Sequence, residues 1–169
     1  MSAGCVVWFT GLPSSGKSTL AKRVQARLSS LGLPVAMLDG DEVRASLVPP
    51  PGYDDADRAA FYETLGRLAA LLAKQGLVVL VPATAHLCAY RAAARERAPR
   101  FIEVHVATPL AECRRRDEKG LYATAATRQA MPLPGVGADY EVPAAPEVRA
   151  TGGHDEVAAN AVLKMLGID

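Results

Sequence analysis

The chain has 169 residues, 50% hydrophobic and 22% charged, with a formal net charge of +1 at pH 7. That length and usage fit a single globular domain able to bury a core without disulfide or metal staples. The near-neutral balance gives no electrostatic reason for a nucleic-acid or membrane-surface partner, and no apolar run approaches the ~20 residues of a membrane span.

In chain order, short β-branched runs alternate with longer amphipathic stretches. CVVWF (Cys5–Phe9), VAML (Val35–Leu38), LVVLV (Leu77–Val81), FIEVHV (Phe101–Val106) and EVRA (Glu147–Ala150) read as strands. The first and third are almost wholly apolar, as buried parallel strands are. Lys17–Leu31 spaces Leu20, Val24 and Leu28 at helical intervals, and Asp57–Lys74 does the same with Phe61, Leu65, Leu68 and Leu72. Further helices are expected over Pro109–Arg116, with Pro at an early position, and over His154–Leu166. The arginines of YRAAARERAPR (Arg91, Arg95, Arg97, Arg100) read as a solvated helix face, and Trp8 and His105 as structural. Strand and helix in alternation predict an α/β domain with a parallel sheet. The stretch from Asp117 to about Pro146 has no sustained period and much Gly and Pro, and is expected to be a lid.

Cys5, Cys88 and Cys113 are widely spaced with no CxxC pair. They read as reduced thiols of a cytoplasmic protein. The N-terminus lacks a basic segment before a long apolar run, so no signal peptide is expected.

The chemistry is concentrated in TGLPSSGKSTL. Gly11, Gly16, Lys17 and Ser18 satisfy G-x-x-x-x-G-K-[ST] between a buried strand and a helix. Glycine lets the backbone approach phosphate oxygens, and the helix N-terminus adds partial positive charge. The cradle Gly11, Leu12, Pro13, Ser14, Ser15, Gly16, Lys17, Ser18 and Thr19 is therefore expected to bind ATP. Lys17 would bridge the β- and γ-phosphates, and Ser18 would ligate Mg²⁺ carried by ATP. Past the second strand, LDGDEVR puts Asp39, Asp41 and Arg44 at a strand end facing the ligand crevice. A carboxylate there serves catalysis or simply caps a helix, and spacing does not separate the two.

WFTGLPSSGKST, LDGDEVR, the DR at 57–58, FIEVHV, RRRDEKGLY and DYEVP follow one another as in adenylylsulfate (APS) kinases, which the chain resembles over nearly its whole length. Those enzymes use MgATP to phosphorylate the 3′-hydroxyl of adenosine 5′-phosphosulfate. The resemblance implies a three-layer P-loop kinase fold, a mostly parallel five-stranded sheet flanked by helices, with a lid near 117–146. It implies Lys17 and Asp41 as catalytic, Asp41 lying at the attacked hydroxyl as base or Mg²⁺ organiser. Arg44 and Arg58 would hold the phosphosulfate, Tyr53 would pack on the acceptor, and Lys119, Gly120 and Leu121 would line it from the lid. Arg116 would lie over the adenine. The family is commonly a homodimer.

Several positions depart from the family pattern. Phe61 stands where an acceptor-holding Asn is usual, and TAHLC (Thr84–Cys88) replaces an ISPYR-like stretch, with Ala85 for its serine. Leu133 replaces a lid Phe that stacks on the acceptor base. Three readings stay open at this level: an APS kinase, a related kinase for another anionic nucleotide-like acceptor, and a non-catalytic nucleotide-binding module.

Overall fold

A computed structural model describes residues 4–127 and 132–168. Residues 128–131 of the expected lid lie outside it. The sheet forms from β1 (Cys5–Thr10), β2 (Val35–Met37), β3 (Val78–Pro82), β4 (Phe101–Val106) and β7 (Val148–Ala150). All neighbours pair in parallel, in the order β2-β3-β1-β4-β7, as expected for the fold. The P-loop strand β1 is central, and each of its six residues is buried.

Alternation along β1 divides the core. Cys5, Val7 and Phe9 join Leu20, Val24 and Leu28 of α1 (Lys17–Ser30) and Val162 of α7 (Glu156–Met165). Val6 and Trp8 join Phe61, Leu65 and Ala69 of α3 (Asp55–Lys74) and Ala94 of α4 (Cys88–Arg97). Burying each large apolar side chain contributes about 1.5–3 kcal/mol, so these two clusters fix both helical layers. Trp8 is core, and its Nε1–H donates to Ala83 O at 3.1 Å, which satisfies the buried indole.

The expected solvated arginine face on α4 is corrected at Arg91, which is 2% exposed. Its Nε donates to Glu103 Oε1 at 2.7 Å on β4, and its two terminal nitrogens donate to Ala85 O at 2.5 Å and Glu141 O at 2.6 Å. A carboxylate inside a strand requires such a partner, because an unpaired buried charge is far costlier than a paired one. Arg91 thus joins three chain segments. Arg95 is half-exposed and pairs with Glu147 at 2.7 Å.

The stretch after α5 (Leu110–Arg116) is also more regular than its composition suggests. It contains α6 (Leu121–Thr127) and two short paired strands, β5 (Leu133–Pro134) and β6 (Gly137–Ala138). Asp117 starts α6: its carboxylate accepts from the amides of Tyr122 and Ala123 at 2.9 and 3.0 Å. A helix of seven residues is too short for its period to stand out in sequence.

Candidate active site

The P-loop follows β1 and ends on Gly16, whose φ is 100°. A Cβ there would lie 2.6 Å from Gly153 N, so both backbone conformation and space demand glycine. Thr108 Oγ1 donates to Ser15 O at 2.6 Å and fixes the loop from β4's side. Asp39, Asp54 and Asp155 are the N-caps of α2 (Gly40–Ser46), α3 and α7. Helix α1 has no side-chain cap and no acid in its first turn. Its first amides are left for an anion, which is how a helix start binds phosphate.

Lys17 Nζ donates to Gly11 O at 3.1 Å and Leu12 O at 2.8 Å. Burial pulls its pKa from 10.5 down to about 8, with Asp41 opposing the shift. Ser18 Oγ donates to Asp39 Oδ2 at 2.5 Å. Asp39 also caps α2 through Asp41 N at 3.0 Å, so capping and site duty coincide in one residue.

One cavity of about 450 Å³ runs from the P-loop to a second chamber. Pro13, Ser14, Gly16, Lys17, Ser18 and Thr19 line one end; Asp41, Arg44, Tyr53, Arg58, Lys119 and Leu121 line the other. Gly11, Leu12, Ser15 and Gly120 contribute no lining, and Arg116 lies outside, its Nε donating to Glu112 Oε1 at 3.0 Å.

The second chamber is cationic at depth and apolar at its mouth. The Arg44 guanidinium lies between two rings, 4.1 Å from the centroid of Phe61 and 4.3 Å from that of Tyr53. Its Nη1 donates to Gly52 O at 2.6 Å. Arg58 Nη2 donates to Pro132 O at 2.7 Å, connecting α3 to the segment before β5. Both guanidiniums are buried, while Tyr53 and Leu121 are 46% and 40% exposed. Tyr122 Oη donates to Pro13 O at 2.8 Å, tying α6 to the P-loop and setting Lys119 over the cavity.

His86 of the TAHLC stretch also lines this chamber, as do Tyr62, Pro132 and Pro134, which were not singled out from sequence. They come from scattered segments without a shared spacing. No cluster of three His, Cys, Asp or Glu suited to a metal exists among the described residues. Nor is any helix among them long and apolar enough to cross a membrane.

A phosphate cradle that opens into a chamber holding two fixed guanidiniums is the layout of a P-loop phosphotransferase. A family model for adenylylsulphate kinase matches residues 3–151. The chain is 42% identical over 167 residues to an adenylyl-sulfate kinase of Citrobacter koseri, covering 98% of this chain and 82% of that one. It is 49% identical over 146 residues to the bifunctional enzyme NodQ of Azospirillum brasilense, covering 85% of this chain but only 24% of NodQ. The Mycobacterium tuberculosis APS kinase CysC, solved in complex with AMPPNP and APS, superposes with a TM-score of 0.91 at 39% identity, covering 99% of each chain. The chain belongs to the adenylylsulphate kinase family, and its activity is that of an adenylyl-sulfate kinase, converting APS to its 3′-phosphorylated product with ATP.

Proposed function

We propose that the γ-phosphoryl group passes from ATP directly to the 3′-hydroxyl of APS in a single in-line step, with no phosphorylated enzyme. The observation that carries this reading is the continuous cavity, which has the P-loop at one end and Asp41 beside the acceptor chamber at the other. Lys17 and the uncapped amides of α1 bind the polyphosphate and neutralise charge that develops on the transferring group. Ser18 and Asp39 are the hard oxygen donors that would hold Mg²⁺, which supplies further neutralisation of the β- and γ-phosphates when bound. Asp41 orients the attacking hydroxyl and accepts its proton. Arg44 and Arg58 take the acceptor's anionic 5′ group, while Tyr53, Leu121 and Leu133 pack against its base. Lys119 reaches in from a lid spanning about 117–146.

Ala85 supports direct transfer: it is fully buried and carries a methyl group where a carrier would need a hydroxyl. The test is stereochemical. ATP chiral at the γ-phosphorus should give product of inverted configuration; retention would show two successive transfers and overturn the reading. Asp41→Asn should lower kcat by about 10²–10⁴, the usual contribution of a positioned general base. Adenosine 5′-phosphate and cytidine nucleotides, offered as acceptors in parallel with APS, test how narrowly the chamber selects.

A further inference from the structure

We infer that His86 is a specificity-determining residue of the acceptor chamber, its ring N–H donating to the anionic 5′ group held by Arg44 and Arg58. The inference rests on the reading of that chamber given above. His86 is 6% exposed and lines the cavity. Its ring meets Tyr62 edge-on at 6.5 Å and Tyr90 at 5.6 Å between centroids, and has no hydrogen-bond partner among the described residues. A buried imidazole normally spends its N–H on a carbonyl or carboxylate. No such acceptor takes it here, and the N–H is left to the cavity that the ring lines.

The ring is also fixed in place. Arg91 holds the carbonyl of Ala85, whose φ is 41°, and His86 O accepts from Glu141 N at 2.8 Å. Backbone bonds on either side of the imidazole therefore aim it, and the aromatic walls stop it turning away.

The choice of ligand atom follows from the surroundings. Burial lowers the pKa of His86, the Arg58 and Arg91 charges lower it further, and Asp55 and Glu141 oppose them. A neutral imidazole keeps one N–H, and next to Arg58 an incoming oxyanion is its natural acceptor. The base belongs at the apolar mouth instead, by Tyr53, Leu121 and Leu133. Phe61, which is apolar and lies under Arg44, offers no hydrogen bond on that wall, so His86 supplies the neutral donor from the far side of Tyr62.

The experiment compares His86→Ala, His86→Phe and His86→Asn with wild type, measuring KM for APS and for ATP together with calorimetric binding of APS to the ADP-loaded protein. Loss of one hydrogen bond to a charged group should raise KM and Kd for APS about tenfold in both the Ala and Phe variants. KM for ATP should stay within about twofold, and Asn, which retains an N–H donor, should recover much of the loss. Wild-type APS affinity in His86→Phe would overturn the inference, because the ring would then act by packing alone. Equal loss for both ligands would overturn it too, marking a fold defect. Calorimetry needs no turnover: APS binding that depends on His86 without phosphorylation supports the contact while defeating the proposed transfer.

Discussion

Lys119 donates to Asp41 Oδ2 over the cavity, joining residues 78 positions apart. Asp117 and Tyr122 make this contact possible, one starting α6 and the other pinning it to Pro13. The DEKGLY run is thus a small mechanical unit whose product is the position of one ammonium group.

Lys119→Ala should raise KM for APS about tenfold and leave KM for ATP within about twofold, since the contact lies on the acceptor side. Steady-state kinetics with each substrate varied in turn check this. Equal effects on both would mean that Lys119 serves the phosphate end.

Lys17 gives a pH signature. Its pKa in the folded protein is about 8, below the ordinary 10.5. Between those values the unfolded chain carries a proton that the native chain lacks, so this group makes the free protein more stable as pH rises. Polyphosphate restores the charge, so ATP binding should take up a proton and weaken as pH climbs through the same interval. Calorimetry in buffers of different ionisation enthalpy reads the uptake; binding without proton exchange at pH 9 would refute it.

Breaking the Arg91–Glu103 pair leaves a buried carboxylate with only the half-exposed Arg95, 3.6 Å away. Arg91→Ala should cost about 3–5 kcal/mol and lower Tm by about 10 °C in a chain of this size. Thermal unfolding measures it, and a shift under 2 °C would count against the burial described.

Phe61→Leu tests the ring under Arg44. Leucine keeps an apolar group in the core, so Tm should move little, while loss of the cation–π contact should raise KM for APS about three- to tenfold. An unchanged KM would show that Gly52 O, Pro51 O and the Tyr53 ring hold the guanidinium without it.

The P-loop was legible because its chemistry is contiguous: strand, glycine turn and helix start follow within a few residues. The second chamber was legible where motifs reach it, at Asp41, Arg44, Arg58 and Lys119, which line it. It was opaque where tertiary packing builds it. Tyr62 sits on the helix stripe that otherwise makes core, and Pro132 matters through a carbonyl, which any residue would provide. Arg91 was misread because arginines on a helix ordinarily face water. The available signal was its partner, since Glu103 puts a carboxylate inside a buried strand and must be neutralised nearby.

The bare start of α1 has a consequence for the life of the molecule outside any reaction. Its amides, and the buried ammonium of Lys17, are satisfied fully only when a polyphosphate sits on them, so occupancy and folding are thermodynamically linked. At a nucleotide concentration of about 100 times Kd that linkage is worth about 2.7 kcal/mol. Resistance to unfolding will therefore follow the nucleotide pool, and a cell depleted of energy would hold a measurably softer protein.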